Sequence, residues 1–479
     1  MNRYIKTGVA VSLALATAGC DDFLQGPGLT ENPNQATQGT AQQQLIAIQA
    51  SAFTRLEGQM ARSAGIYTQQ IIGSNNQQLQ WATNYGQSES DIPAHMSALY
   101  TGAGLVGIRN IIAYGEANND PLMIGLAKGW EGYLFGNAAS VWGDLPYSEA
   151  VNPAILTPIL DPQEAVYQEV QKRFDEAIAA FNAAPTTGNC ETADLIYCAT
   201  TVPRATQIAR WVRALNTLKA RYHLHLAERN GNAAYQAALA AATNGINEAP
   251  QNATQAMHGQ APGDFRSYHG STLDQDANIW ASFLNSRQDL VAGHFLVQLL
   301  KDRNDPRLAA YFTPNSAGQF FGNDQNNVLQ GTGGAAVINT TVRRAFTFRQ
   351  PLVTWAENEL ILAETKFRLQ GAGAALPHVN NVRVAVGLPA LASVTLNDVL
   401  TEKYIAMYQN IEVWNDWKRT CFPVLTPFGT AAEIPGRLPY SSAERTANPN
   451  IPLPSAYPEG TTGVAQLRNW NDPNACPRP

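Results

Sequence analysis

Charged side chains are scarce in this 479-residue chain, in which Asp, Glu, Lys and Arg together make up 15% of the residues. The 32 basic residues are outnumbered by 38 acidic ones, and the formal net charge is −6. Binding to nucleic acid requires clustered Lys and Arg that neutralise phosphates, so this balance excludes nucleic acid as an expected partner. Hydrophobic residues make up 45% of the chain, which indicates a globular protein.

Signature motifs of catalysis and metal binding are also missing. The chain has neither an HExxH zinc motif nor a GxSxG nucleophile elbow. The stretch GAGLVG at 102–107 matches GxGxxG, but helical rather than strand character precedes it, so it does not indicate dinucleotide binding. His223 and His225 are two residues apart in a predicted helix and therefore point to different faces. We expect no cofactor and no metal ion.

Paired carboxylates for glycoside hydrolysis escape such a motif search, because their separation is spatial. Glu357, Glu359 and Glu364 lie in one predicted helix, and we interpret them as its solvated side, with Glu364 and Arg368 as a surface pair four residues apart. We therefore expect a protein that is not an enzyme. A secreted hydrolase on a helical scaffold is the alternative.

Long apolar runs are absent as well, since no stretch approaches the ~20 apolar residues that a membrane-spanning helix needs. A shorter run, VAVSLALATAG at 9–19, follows the basic residues Arg3 and Lys6, and this is the pattern of a secretory signal. The small residues that precede Cys20 resemble a bacterial lipobox, although Thr17 stands where leucine is usual.

We therefore predict that residues 1–19 are a lipoprotein signal peptide. Cys20 would become the lipidated N-terminus of a tether over residues 20–40, and lipid would be the only attachment to the membrane. The alternative is a soluble exported protein with a free Cys20.

Cysteine is rare, and four of the five cysteines follow Cys20. An even number of cysteines in an exported chain indicates two disulfides. Cys190 and Cys198 bracket a short loop and are predicted to pair, which leaves Cys421 and Cys476 to hold the C-terminal segment. Zinc is the alternative, but neither pair has CxxC spacing and no histidine lies beside either pair.

Helical periodicity dominates the rest of the chain. Apolar residues recur at spacings of three and four in the stretches 161–181, 205–229, 355–369 and 399–418. The first of these helices is predicted to have Asp161 as its N-cap and Pro162 at its first helical position. Further helices are expected near 41–72, 94–114, 121–140, 231–247 and 287–300. Long irregular segments lie between the helices, and we interpret them as ordered loops: 73–93, 183–205, 249–287, 310–350 and 420–479.

Six stretches occur in a fixed order along nearly the whole mature chain. They are CDDFL (20–24), VWGDLPYSEA with the helix that follows it (141–150 and 158–181), RWVRALNTLKARYHLHLA (210–227), NDPRLAAYF (304–312), TWAENELILAETKFR (354–368), and EKYIAMYQNIEVWNDWKRTCFPVL with IPGRLPY (402–425 and 434–440). Each stretch is a weak signal by itself. Together they resemble the motifs of the SusD/RagB family of outer-membrane lipoproteins.

The resemblance implies a mainly α fold, a superhelix of tetratricopeptide-like helix pairs with a loop-rich irregular lobe packed against it. Residues 41–479 would form a single SusD-like domain. The helical scaffold would lie mainly in 41–72, 94–247, 287–300 and 353–419, and the ligand lobe mainly in 73–93, 249–287, 310–350 and 420–479.

The resemblance also implies a role. Such a protein is anchored by lipid in the outer membrane, faces the cell exterior, captures oligosaccharides and passes them to a SusC-type TonB-dependent transporter. Peptides or other nutrients are the alternative cargo. A helical-repeat scaffold that binds only protein is a further alternative.

Two clusters are candidates for ligand binding, because sugar recognition uses aromatic faces together with amide and charged groups. The stretch 75–87 carries Trp81, Asn84 and Tyr85 among Asn and Gln residues. The W-x-x-N spacing of Trp81 and Asn84 is similar to that of a pair in this region of the SusD/RagB family.

The second cluster contains Tyr268, Asp276, Trp280 and Arg287. We hypothesise that Trp81, Asn84 and Trp280 line a ligand platform, with the other residues beside it. The alternative is that these aromatic residues only pack the loops against the scaffold.

Overall fold

The computed structural model describes residues 39–91, 93–270, 277–324, 334–429, 431, 433–453, 468–474 and 476. The predicted signal peptide, the lipidation site Cys20 and nearly all of the predicted tether lie outside these residues. The described chain is mainly helical, with tetratricopeptide-like helix pairs, and this confirms the predicted fold class.

The first part of the chain is a series of helices interrupted by one short strand. Its elements are α1 (Ala41–Phe53), a π-helical segment (Thr54–Met60), α2 (Ala61–Tyr67), β1 (Ile71–Gly73), α3 (Asn76–Asn84), α4 (Pro93–Ser97), α5 (Leu105–Asn118) and α6 (Pro121–Trp142). The start of α6 follows from its sequence, because Pro121 occupies the first turn and the Asp120 carboxylate accepts a hydrogen bond from the Met123 backbone N–H.

The middle of the chain continues the helical scaffold and then becomes irregular. Its elements are α7 (Gln163–Ala183), α8 (Arg204–His225), α9 (Ala227–Asn230), α10 (Asn232–Ala242), α11 (Ala253–His258), β2 (Phe265–Arg266), α12 (Ile279–Asn285), β3 (Leu290–Ala292) and α13 (His294–Asp302). The helix predicted at 287–300 begins only at His294, because the residues of β3 pair with β1 instead.

The last part of the chain returns to the scaffold. Its elements are α14 (Arg307–Tyr311), β4 (Phe312–Thr313), β5 (Val337–Ile338), β6 (Pro351–Val353), α15 (Trp355–Gln370), α16 (Ala372–Ala385), α17 (Leu396–Ala406), α18 (Glu412–Thr420) and α19 (Ser442–Ala447). The strands form antiparallel two-stranded ribbons, β1 with β3, β2 with β6 and β4 with β5.

Neighbouring long helices pack against one another in a continuous series. Helix α1 packs on α5, α5 on α6, α6 on α7 and α7 on α8. The series continues from α8 to α10, from α10 to α15, and from α15 to both α16 and α17. Each helix thus contacts mainly its neighbours in the series, which is the arrangement of a helical-repeat superhelix.

Helix α6 is buried on nearly every side, and glycines let its neighbours approach closely. A Cβ atom added to Gly132 would lie 2.5 Å from the Phe174 ring of α7. A Cβ atom added to Gly136 would lie 2.4 Å from the Tyr222 ring of α8. Both rings are fully buried, so they have little room to move aside.

Gly136→Ala is therefore expected to lower the free energy of unfolding by about 1–3 kcal/mol, the usual effect of overpacking a core. Urea denaturation followed by circular dichroism measures the change. Gly373→Ala is the matched control, because Gly373 is also helical and its added Cβ would have no packing neighbour within 4 Å beyond its own helix backbone. Equal stability of the two variants would contradict the packing explanation.

The carboxylates of α15 are buried, so the interpretation of Glu357, Glu359 and Glu364 as a solvated side is wrong. The Arg221 guanidinium donates to both carboxylate oxygens of Glu357, at 2.6 Å each. Glu364 pairs with Arg419 of α18, and Glu359 bonds to side chains of α16. The physical reason is that α10, α16 and α17 enclose α15, which leaves it almost no solvated face.

Two disulfides join the cysteines in the pairing that the spacing predicts. The Cα atoms are 5.8 Å apart in Cys190–Cys198 and 5.2 Å apart in Cys421–Cys476, both within the normal range. Among the described residues, no group of three His, Cys, Asp or Glu side chains could hold a metal ion.

Candidate functional site

The predicted platform aromatics lie in short helices and face the core. Trp81 of α3 is 1% exposed and Trp280 of α12 is 0% exposed, while Tyr85 at the end of α3 is buried too. Asn84 and Arg287 are exposed. Because each short helix turns its large apolar residue inward, neither indole presents a face on which a sugar ring could stack. The structure therefore contradicts the expected open platform.

The two predicted clusters meet at the start of α3. The Asn76 side chain donates a hydrogen bond to Asp289 Oδ1 at 2.9 Å, which places the start of α3 beside the residues that follow Arg287. Asn84 and Tyr85 lie at the opposite end of this nine-residue helix, about 13 Å away along its axis.

Tyr268 lies elsewhere, half-buried, with its ring centre 6.0 Å from the Arg349 guanidinium. The next residue, His269, contacts Glu57 of the π-helical segment through Nε2 and Oε2 at 3.0 Å. Asp276 is outside the described residues.

A pocket of about 310 Å³ opens beside Tyr85, and we call it the Phe428 pocket. It is lined by Gln69, His294, Phe295, Asn323, Asp324, Val424, Thr426 and Phe428. The lining combines two aromatic rings with amide, carboxylate, hydroxyl and imidazole groups. Such a mixture of ring faces and polar groups suits a ligand that carries many hydroxyls on apolar rings.

One wall of the Phe428 pocket contains Phe428 and Thr426, and Tyr85 and Gln69 hold these two residues in place. The Phe428 ring stacks on Tyr85 with centres 5.8 Å apart, and the Phe428 backbone N–H donates to the Tyr85 hydroxyl at 3.2 Å. The Gln69 amide donates to the Thr426 carbonyl at 2.6 Å. Burial raises the pKa of Tyr85 to about 12, so its hydroxyl stays protonated and this wall stays uncharged at neutral pH.

Another part of the pocket lining consists of Asn323 and Phe295, whose side chains could contact a ligand. The Asn323 backbone bonds to Ala292 and His294, at 2.9 and 2.8 Å, and holds the residue in place. Its side-chain amide makes no hydrogen bond to any described residue. Phe295 is half-buried and contacts the Tyr404 ring edge-on, with centres 5.8 Å apart. An aromatic ring and a free amide thus face the same pocket.

Sequence reasoning missed Gln69, Phe295, Asn323 and Phe428. These residues come from four separate segments, and Phe295 lies in a stretch predicted to be scaffold. The available signal was compositional: aromatic and amide residues recur in the irregular stretches 310–350 and 420–479.

A second depression, of about 510 Å³, contains carboxylates but serves the fold. The Tyr147 hydroxyl donates to Glu131 at 2.6 Å, and Asp161 accepts backbone N–H bonds from Tyr147 and Ser148 at 2.9 and 2.8 Å. These bonds hold the GDLPY turn between α6 and α7. The carboxylates are therefore engaged in hydrogen bonds of the scaffold rather than converging on a free space.

Comparison with known families identifies the class of protein. The sequence profile of the SusD-like family, described as "Starch-binding associating with outer membrane", matches residues 33–441. The chain belongs to the SusD-like family, which confirms the resemblance seen in its motifs. No curated protein matches the chain in sequence. Within the described residues, no helix combines the length and apolarity that crossing a membrane requires.

Solved structures share the fold. A chitin-binding protein is 21% identical, with a TM-score of 0.71 over 91% of this chain and 100% of that one. A SusD/RagB family protein from Bacteroides thetaiotaomicron is 20% identical, with a TM-score of 0.69 over 91% and 99% of the two chains. A chitin-binding SusD homologue from Flavobacterium johnsoniae is 16% identical, with a TM-score of 0.68 over 91% and 99%.

Proposed function

We propose that this protein captures oligosaccharides at the cell surface and passes them to a SusC-type TonB-dependent transporter of the outer membrane. The observation that carries the proposal is the lining of the Phe428 pocket, in which the Phe295 ring and the free amide of Asn323 face the same space. Membership of a family described as starch-binding and similarity to two chitin-binding proteins support it. The protein would act by binding and not by breaking bonds.

The proposal includes attachment by lipid on Cys20, which would hold the domain beside the transporter. The predicted ligand residues keep a place in it as supports. Tyr85 stacks on Phe428 and so supports the Phe428 pocket, while exposed Asn84 is the member of that group that a ligand could reach. Trp280, Tyr268 and Arg287 belong to the segments around α12.

Phe295→Ala is expected to weaken binding of the cognate oligosaccharide about tenfold, or about 1.4 kcal/mol, because the variant loses apolar surface on which a sugar ring could pack. Asn323→Ala should weaken binding by a smaller factor, about three- to tenfold, through lost hydrogen bonds. A glycan and peptide array with the full-length protein in detergent identifies the ligand, and isothermal titration calorimetry then measures the affinities.

Tyr114→Ala is the matched control, because Tyr114 is an exposed aromatic residue of α5, outside the pocket. It should leave the affinity unchanged. If the array shows binding of peptides and not of glycans, peptides would replace oligosaccharides as the proposed cargo. Unchanged glycan affinity in both pocket variants would place the binding site elsewhere.

A further inference from the structure

Two buried arginines near the start of the domain have polar atoms without a partner. Arg55 lies in the π-helical segment and Arg62 at the start of α2, and they are 4% and 8% exposed. Nη2 of Arg55, and both Nε and Nη1 of Arg62, are buried and make no hydrogen bond. Neither guanidinium pairs with a carboxylate anywhere in the described parts of the chain.

Arg343 is a buried arginine of the same protein whose guanidinium nitrogens all have partners. It also lacks an acidic partner, yet Nε bonds to His258 at 3.1 Å, Nη1 to Gln409 at 3.3 Å and Nη2 to the Met257 carbonyl at 2.9 Å. Each of its nitrogens is thus satisfied. Arg62 has one hydrogen bond, from Nη2 to Gln59 Oε1 at 2.9 Å, and no acidic partner among the described residues, so its Nε and Nη1 atoms could each donate to a further acceptor.

A phenylalanine of α12 connects the buried arginine pair, Arg55 and Arg62, to an arginine at the surface. The Phe283 ring lies beneath two guanidinium groups, with its centre 4.2 Å from Arg62 and 5.5 Å from Arg287. Arg287 is exposed, so the group reaches solvent there. Ile279 packs over Gly58 and holds α12 against the π-helical segment. Segments of π-helix are frequent at functional sites. We call Arg55, Arg62 and Arg287 the arginine cluster.

Among the described residues around the cluster, no carboxylate pairs with Arg55, Arg62 or Arg287. Burial, followed by the charges of Arg55 and Arg62, lowers the pKa of His95 to about 4, so this histidine is neutral at physiological pH. Its Nδ1 atom is buried without a hydrogen bond. The carboxylates of the adjoining segments have their own partners, since Glu57 contacts His269 and Glu89 pairs with Arg445.

We infer that the arginine cluster is a subsite for an anionic group on the captured glycan, either a carboxylate or a sulfate ester. The planar guanidinium fork matches the oxygens of both groups. This inference rests on the proposed function and adds the chemical class of the sugar. Arg287 and His294 of the Phe428 pocket flank β3 seven residues apart, at most about 25 Å, so one oligosaccharide could contact both places.

The test compares acidic sugars with their neutral counterparts on the full-length protein in detergent. The probes are a tetragalacturonate with its methyl ester, and a sulfated galactan tetrasaccharide with its desulfated form. Calorimetry at low salt should show at least tenfold tighter binding for one acidic probe than for its neutral counterpart. Raising the salt concentration should shrink that preference, because exposed Arg287 is screened.

Arg62→Gln and Arg287→Gln should each reduce the preference at least fivefold. Arg368→Gln is the matched control, since Arg368 is also exposed and lies 5.4 Å from an aromatic ring, that of Tyr235. It removes the same charge and should leave the preference unchanged. The melting temperature of ligand-free Arg62→Gln should be no lower than that of the wild type, whereas a purely structural arginine would lower it.

The remaining outcomes distinguish failure of the anionic subsite from failure of the proposed function. Equal affinity for acidic and neutral sugars would overturn the anionic subsite and leave the proposed function intact. An acidic preference that both cluster variants retain would also overturn the subsite. Binding to acidic peptides alone, or to no glycan of an array that includes acidic and neutral sugars, would overturn the proposed function together with this inference.

Discussion

Arg419→Leu is expected to lower the free energy of unfolding by about 3–5 kcal/mol, the range found when one partner of a buried ion pair is removed. The Arg419 side chain is buried in α18. Its guanidinium donates to both carboxylate oxygens of Glu364 at 2.5 Å each and to Asp416 at 2.6 Å. Leucine would leave the buried Glu364 carboxylate without its hydrogen-bonded cation. Urea unfolding followed by tryptophan fluorescence measures the loss.

Two controls separate the buried charge from a general effect of the substitution. Lys172→Leu removes a cation from a surface pair with Glu169, with side chains 56% and 37% exposed, and should change stability by less than about 1 kcal/mol. The double variant Glu364→Leu/Arg419→Leu removes both charges, while Asp416 keeps Lys403 at 2.8 Å. It should recover much of the lost stability. A double variant as unstable as the single one would contradict the ion-pair explanation.

The pH dependence of stability provides an independent test of the ion pair between Arg419 and Glu364. Burial by itself raises the pKa of Glu364, but the Arg419 guanidinium outweighs burial and lowers the pKa to about 2. A lowered carboxyl pKa stabilises the fold fully above the ordinary value of 4.5, and this stabilisation is lost as pH falls towards 2. The stability difference between wild type and Arg419→Leu should therefore shrink between pH 6 and pH 3.

Local sequence signals predicted the long helices well because their boundaries depend on nearby residues. Helix α6 begins at Pro121 behind the capping Asp120, as the 121–140 prediction requires. The start of α7 lies one residue later than predicted, at Gln163 instead of Pro162, and Pro162 is the N-cap. Asp144 of the GDLPY turn accepts the Gln163 N–H at 2.8 Å, while Asp161, the predicted cap, bonds to that turn instead. A cap supplied from 19 residues away leaves no local pattern.

Tertiary packing decided the features that the sequence did not reveal. Helix α16 contains Pro377 in its interior and forms because it packs along α15. Its sequence therefore has no periodic pattern from which the helix could be predicted. Helices α3 and α12 are too short to show a reliable period, and Trp81 and Trp280 could be read as loop aromatics for that reason. The unpaired state of Arg62 is likewise spatial, because it depends on which carboxylates fail to reach it.

Removal of the Cys421–Cys476 disulfide, as Cys421→Ser/Cys476→Ser, is expected to lower the free energy of unfolding by about 4 kcal/mol. The bond closes a loop of 55 residues, and the loss of chain entropy in the unfolded state grows with loop length. The C-terminal segment that it holds also bonds to the scaffold, since the Asn469 amide donates to Ser140 and the Asn471 amide to His225.

The other disulfide provides the comparison within one molecule. Cys190–Cys198 closes a loop of only eight residues, so Cys190→Ser/Cys198→Ser should lose less stability, about 2–3 kcal/mol by the same relation. Unfolding of both variants in urea under non-reducing conditions ranks the two losses. The reverse order would show that hydrogen bonds such as those of Asn469 and Asn471 hold the C-terminal segment without help from the cross-link. In that case its attachment to α6 and α8 would be a property of the folded contacts and not of the restricted unfolded chain.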